Sequence, residues 1–409
     1  MSENRTNKRK AYVLISGGLD STLAVKMLQD QGIEVTGVYI STGFCVSAQQ
    51  KRNGRFDEAK PDVFKVSQEL GIDLEVIDIS NEYMSIVANP KYGWGKNVNP
   101  CIDCRIHMLQ KTAELMKEKG GDFIATGEVL GQRPMSQRRD TIDLVAKKSG
   151  LGDLLLRPLS AHFFPETKPE KEGWVDRAKL GKLQGRSRKP QLAMAKKYNL
   201  QNIQTPAGGC CYLTDENYAV RFKDMLLGLK RMLKKPDSFQ LEHNDMIIMS
   251  IGRQIKIRTG LKLACGRNES ENNLLHHYRA GKLHIKTTDD NPGPSALLEI
   301  IPNENSINLT TEFDEWNYTD QVDVNISPFL EKIDATITPI ELALCGAILG
   351  RYSDNKTGED ITIEVTEFDK QGTLVNSMNF TVTPLKNLSV LTEKLMIKEN
   401  EKKILKSIA

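Results

Sequence analysis

The most constraining feature of the chain lies near its start, in AYVLISGGLDSTLAVKMLQDQG, residues 11–32. The β-favouring run AYVLIS passes through two adjacent glycines into a segment with apolar residues at three- and four-residue spacing. That is a strand followed directly by a helix. The alternation returns. IEVTGVYIS (33–41), LEVIDIS (74–80) and DFIATG (122–127) read as buried strands, while FDEAKPDVFKVSQELG and CRIHMLQKTAELMKEKG read as helices, each stopped by glycine. Near-continuous apolar strands alternating with helices belong to a parallel sheet covered on both faces. The expected fold is therefore α/β, a doubly wound parallel sheet, with an α+β region after it.

At 409 residues the chain exceeds one ordinary domain. A basic helix, AVRFKDMLLGLKRMLKK (219–235), is closed by Pro236, and the texture then changes to β-type segments: DMIIMSIG, RQIKIRTG, LKLACG, KLHIKTT, EDITIEVTEF and SMNFTVTPL. ELALCGAILGRYSD reads as a helix among them. The expected domains are 1–235, 236–355 and a β/helical extension over 356–409. No run of about 18 apolar residues occurs, so no membrane span is expected. The opening MSENRTNKRK lacks the apolar core of a secretory signal, and a cytoplasmic location is expected. Seven cysteines, an odd number, argue against a disulfide framework and leave metal binding, catalysis or burial. The net charge of +3 is too small to imply nucleic acid by itself.

Two glycines at a strand-to-helix turn let backbone approach an anion closely, and the free N–H groups of the helix start point at it. Ser16 and Ser21 add hydroxyls, so Ser16, Gly17, Gly18, Asp20 and Ser21 form a candidate phosphate loop. The plainer alternative is a tight turn capped by Ser or Asp. No lysine follows in the position a Walker loop requires. The segment SGGLDS instead resembles the PP-loop of the N-type ATP pyrophosphatases. That resemblance implies cleavage of ATP between its α and β phosphates and activation of a substrate oxygen as its adenylate, with Asp20 helping to hold Mg²⁺. Downstream, TGEVLGQRPMSQ (126–137) and LLLRPLSA (154–161) are similar to motifs of the ThiI-type tRNA 4-thiouridine synthases. This adds Thr126, Gly127, Glu128, Gly131 and Gln132 to the expected ATP site.

NPCIDC sets Cys101 and Cys104 two residues apart, a spacing that suits one metal centre or a redox pair. PAGGCCYLTD supplies Cys210 and Cys211. The chain resembles the cluster-bearing thiolation enzymes, which implies a 4Fe-4S cluster on Cys101, Cys104 and Cys210, with Cys211 the alternate. Cluster-free chemistry stays open, with Cys210 or Cys211 as a persulfide carrier or a transient disulfide partner. Cys45, Cys265 and Cys345 sit among apolar or small residues and read as buried. His107, three residues past Cys104, reads as a surface or capping residue, with a ligand role the alternative; the adjacent His276 and His277 lack a metal spacing and are assigned no chemistry.

LACGRNESENNLL and the later NPGPSALL resemble the NFACT-R RNA-binding module, through Gly266, Arg267, Asn268, Glu271, Asn272, Pro292 and Gly293. Arg267 and Asn268 are candidate RNA contacts on that basis. Arg186, Arg188 and Lys189 form a basic cluster that can neutralise phosphates, as do Lys223, Lys230, Arg231, Lys234 and Lys235. Together the resemblances imply an ATP-dependent tRNA sulfurtransferase making 4-thiouridine or 2-thiouridine. Its partners would be tRNA and a sulfur donor, either free sulfide or a cysteine desulfurase, with a homodimer left open. The rivals are a PP-loop ligase acting on a small molecule and a non-catalytic RNA-binding factor with a relic ATP loop.

Overall fold

A computed structural model describes residues 8–44, 62–200, 211–235, 242–288, 290–308, 326–333, 336–354 and 358–385. Cys45, Cys210 and Pro236 lie outside them. The chain divides into two compact units, and the break falls between Thr214 and Asp215.

The first unit carries β1 (Lys10–Leu14), β2 (Glu34–Ser41), β3 (Asp73–Asp78), β4 (Phe123–Thr126) and β5 (Leu155–Leu156). They form one sheet in the order β3-β2-β1-β4-β5, parallel throughout. Alternate residues of β1 serve the two faces. Ala11, Val13 and Ile15 pack with Leu23 and Leu28 of the Leu19–Gln29 helix and Val63 and Val66 of the Asp62–Leu70 helix. Tyr12 points the other way, where Gly121 lies so close that a Cβ would stand 2.7 Å from its ring. Fully burying a Leu or Val side chain contributes about 1.5–3 kcal/mol, so this two-sided core explains why β1 needs an unbroken apolar run. Strand order reverses at β1. The loops leaving β1 and β4 thus open side by side at the carboxyl edge, the place where open α/β sheets bind ligands.

The second unit holds β6 (Arg253–Arg258), β7 (Leu261–Cys265), β8 (Leu283–Thr287), β9 (Ser295–Ile300), β10 (Ile361–Phe368) and β11 (Leu374–Val382), in the antiparallel order β11-β10-β8-β9-β7-β6. Leu263, Ile285, Leu298 and Ile363 face the Pro339–Arg351 helix, which a Thr338–Glu341 capping box and an N-terminal proline start. Ala264 and Leu297 face the opposite way, toward Ile248, Leu274 and Leu275.

Two expectations shift. DMIIMSIG is helical over His243–Ile248, not a strand: Glu242 and Asp245 form a capping box, and three consecutive apolar residues fill the space over Ala264. The division of the chain also falls one helix ahead of residue 235. The Glu216–Met232 helix packs within the second unit, where Tyr218 Oη donates to Met246 O at 3.2 Å and Lys256 Nζ to Asp224 Oδ1 at 2.9 Å. β10 and β11, expected in an extension, complete the same sheet as β8. Among the described residues no helix is long and apolar enough to cross a membrane.

Candidate functional site

The loop after β1 has the geometry that its glycines permit. Gly17 adopts φ +77°, in the left-handed region, and Gly18 is the residue that precedes the Leu19–Gln29 helix. Ser21 does not point away from the loop. Its Oγ donates to Gly18 O at 2.8 Å and accepts from Ser16 N at 3.4 Å, so the hydroxyl closes the turn. Ser16 stays exposed.

The loop after β4 is pressed onto that helix start. A Cβ on Gly127 would lie 2.5 Å from both Asp20 C and Ser21 N, so only glycine lets the two loops meet. Gln132 Nε2 then donates to Asp20 Oδ2 at 2.9 Å, and Gly131 N donates to Gln137 O at 2.7 Å. The second oxygen of the carboxylate, Asp20 Oδ1, is buried with no hydrogen-bond partner. An orphaned carboxylate oxygen beside the candidate phosphate loop fits the divalent cation that would accompany ATP.

Glu128, the next residue expected at the ATP site, is tied into the protein on several sides. It is buried, accepts from Thr126 Oγ1 at 3.2 Å and Arg157 Nε at 3.1 Å, and lies 3.5 Å from Arg105 Nε. Burial pushes its pKa up, but the Arg105 and Arg157 charges outweigh that, and the net direction is down. The carboxylate holds its loop as an anion between two guanidiniums. Ser160 adds a second clamp, its Oγ accepting from Leu130 N at 3.1 Å and donating to Leu183 O at 2.6 Å.

The Cys101–Lys119 helix begins at the C-x-x-C pair. Cys104 Sγ lies 3.8 Å from Met108 Sδ. Cys211 approaches from far along the chain because its neighbours are tied down: Tyr212 N donates to Phe44 O at 3.2 Å, Val98 N to Leu213 O at 3.2 Å, and the Phe44 ring packs 5.1 Å from Tyr212 and 5.9 Å from Tyr83. Tyr83 lies within electrostatic reach of all three thiols. Its pKa is raised well above 10.0, chiefly by burial, then by Cys104 and Cys211, by a hydrogen bond with Cys104, and by Cys101. Among the described residues no group of three or more His, Cys, Asp or Glu side chains could hold a metal ion, and Cys210, the third ligand expected, lies outside them.

The remaining expected residues separate by unit. Gly185 N donates to Leu130 O at 2.7 Å, which straps the segment ahead of Arg186, Arg188 and Lys189 to the second loop of the first unit. Arg186 and Lys189 are exposed. Arg267 and Asn268 belong to the second unit, where Asn268 Oδ1 accepts from Glu271 N at 3.0 Å to cap the Glu269–His277 helix and Arg267 pairs with Glu271. Gly266 stands against Asn272, whose Oδ1 accepts from Ser295 N at 3.1 Å. Cap, ion pair and tether account locally for Gly266, Asn268, Glu271 and Asn272. Cys265 and Cys345 are fully buried as expected, with burial raising the Cys265 thiol to about 12.

Tyr83, Arg105, Arg157 and Ser160 were not among the expected functional residues. Arg157 and Ser160 lie inside LLLRPLSA, so the signal was present without a role. Tyr83 carries no motif at all.

Residues 9–148 match the family model described as tRNA methyl transferase HUP domain. The tRNA-specific 2-thiouridylase MnmA of Syntrophotalea carbinolica is 35% identical over 129 residues, 30% of this chain and 35% of that protein. Its counterpart from Campylobacter curvus is 32% identical over 122 residues, 29% of this chain and 34% of that one. The chain thus spans about a third of the length of the curated relatives it matches. A solved structure described as a predicted subunit of tRNA methyltransferase from Methanocaldococcus jannaschii overlaps 57% of this chain and 93% of its own, at 16% identity and a TM-score of 0.32. The region matched by the family model contains both glycine loops and the Cys101–Cys104 pair.

Proposed function

We propose that the protein is an ATP-dependent tRNA uridine thiolase of the cytoplasm. ATP lies on Ser16 to Ser21, with its divalent cation at Asp20. A uridine carbonyl oxygen attacks the α phosphorus and pyrophosphate leaves; the loop contributes positioning and charge stabilisation. Sulfur then attacks the activated carbon and AMP departs, which leaves a thiouridine. The 2-position is favoured because the relatives matched over the loops and the thiol pair are named 2-thiouridylases. The observation that carries the reading is the pair of glycine loops pressed together at Gly127, with the buried and unpartnered Asp20 Oδ1 beside them, in the unit that also carries Cys101, Cys104 and Cys211.

For the thiols we propose a cluster-free route. One cysteine accepts a persulfide from the sulfur donor, and its terminal sulfur bonds to the activated carbon as AMP leaves. A second thiolate attacks the first cysteine's sulfur, breaks the S–S bond to release the thiouridine, and forms a protein disulfide that a dithiol reductant returns to thiols. A cluster on Cys101, Cys104 and Cys210 is the other outcome of the test.

Two measurements decide between these. Pyrophosphate release from ATP should depend on added unmodified tRNA; release at the same rate without RNA, stimulated by a small amide or acid, would favour the small-molecule ligase. Anaerobically purified protein should hold far fewer than one iron per chain and still thiolate tRNA. About four irons per chain, lost in Cys101→Ala, would replace the persulfide route by the cluster.

A further inference from the structure

Just ahead of the C-x-x-C pair runs PKYGWGKNVNPC (90–101), in which two lysines flank two aromatic residues. The segment is built into the thiol site at both ends. At one end the backbone N–H groups of Lys91 and Tyr92 donate to the two carboxylate oxygens of Asp103, at 3.1 and 3.0 Å, and Asp103 stands between Cys101 and Cys104 in sequence. At the other, Asn97 Nδ2 donates to Thr214 O at 2.6 Å and Val98 N to Leu213 O at 3.2 Å, three and two residues after Cys211.

The middle is pinned as well. The Trp94 indole N–H donates to Val87 O at 2.8 Å, and Gly95 lies so near Met135 that a Cβ would stand 2.9 Å from its sulfur. Gly93 and Asn97 take left-handed conformations, φ +73° and +56°, which turn the chain at either side of Trp94. A loop tied down in this way holds its shape before any ligand arrives. It presents Lys91 and Lys96 exposed and Tyr92 half-buried, with Lys91 Nζ 6.0 Å from the Tyr92 ring centroid.

Ammonium groups flanking an aromatic face suit one occupant in particular. A lysine neutralises a phosphate, and a ring that keeps part of its surface open takes a stacked base of any identity. Resting on the reading of the protein as a tRNA thiolase, we infer that the Lys91–Lys96 loop is an RNA platform beside the thiols. Tyr92 stacks an unpaired nucleotide next to the target uridine, and Lys91 and Lys96 engage the flanking phosphates. This preorganised surface holds the strand while the activated carbon meets sulfur.

The test uses the full chain, a fluorescent oligouridylate and an unmodified tRNA transcript, with binding followed by anisotropy over a range of salt. Tyr92→Ala is expected to weaken both RNAs by about 5- to 150-fold, the scale of one base–aromatic stack. The pair Lys91→Ala with Lys96→Ala, both exposed, is expected to reduce the slope of log K against log salt for the oligouridylate by about 1.4, two phosphates at about 0.7 each. Because Tyr92→Ala can perturb the loop itself, the wild-type chain is also crosslinked to 5-bromouridine RNA, with adducts expected within residues 91–96. Unchanged affinity and slope in both variants, or crosslinks only elsewhere, would overturn the platform while leaving the thiolase reading intact. A wild-type chain that binds neither RNA overturns both.

Discussion

Gly127 is the residue on which the proposed ATP site depends most sharply. Alanine there would bring a methyl to 2.5 Å from the backbone of Asp20 and Ser21, and neither neighbour is a flexible side-chain end that could swing away. Gly127→Ala is expected to cost about 1–3 kcal/mol of stability and at least tenfold in ATP affinity, read by calorimetry. Wild-type affinity would show that the two loops need not touch. Glu128 carries a pH dependence whose sign follows from its partners. Arg105 and Arg157 hold its pKa below 4.5 against burial, so the stability it contributes is complete above 4.5 and is lost as pH falls through the lowered value. Glu128→Gln leaves the guanidiniums without that charge and should destabilise by about 3–5 kcal/mol at neutral pH, with a flatter acid limb in thermal melts. The glycines and serines of both loops were legible in the sequence because spacing alone advertises a tight turn. Glu128 was legible as a site residue, but its two ion pairs were not, since a motif does not say that Arg105 and Arg157 will close on it from two other elements.

Helices and strands read from periodicity came out largely where the period was clean. β1, β2 and β4 are apolar runs buried on both faces, and the Cys101–Lys119 and Glu216–Met232 helices keep their apolar residues on one side. DMIIMSIG failed for a physical reason: a short apolar run carries no period, and the capping box that makes it a helix begins at Glu242, just outside the run. β5, two residues long, has no period to read either. The convergence of the thiols was hidden because it depends on Phe44, Tyr83 and Tyr212 packing across long sequence separations. β8 carries a second pH-dependent group. His284 is buried against His276, and burial first, then His276, Lys286 and Arg279, lower its pKa from 6.5 to about 3. Between those values the unfolded chain takes a proton that the folded one refuses. Stability of the second unit should therefore fall as pH drops from 6.5 toward 3, and His284→Phe should flatten that slope in urea melts followed by a probe in this unit. An unchanged slope would mean the ring is protonated in place.

At the scale of the molecule, two compact units with separate cores predict unfolding that is not a single two-state step. In a Trp316→Phe chain the remaining tryptophans, Trp94 and Trp174, both lie in the first unit, and their signal should not coincide with that of tyrosine along a urea titration. Coincident curves from every probe would argue that the units unfold as one. The chemistry is asked of the first unit: phosphate loop, pressed second loop, gathered thiols and the lysine-aromatic loop beside them. One measurement tests that account most directly. Unmodified tRNA is incubated with the full chain, ATP, Mg²⁺ and a sulfur donor, then digested to nucleosides and analysed by mass spectrometry. The account predicts 2-thiouridine that appears only with ATP and disappears in Asp20→Ala and Cys101→Ala. ATP converted to AMP and pyrophosphate with tRNA present, yet no thionucleoside formed with either sulfide or a desulfurase as donor, would contradict it.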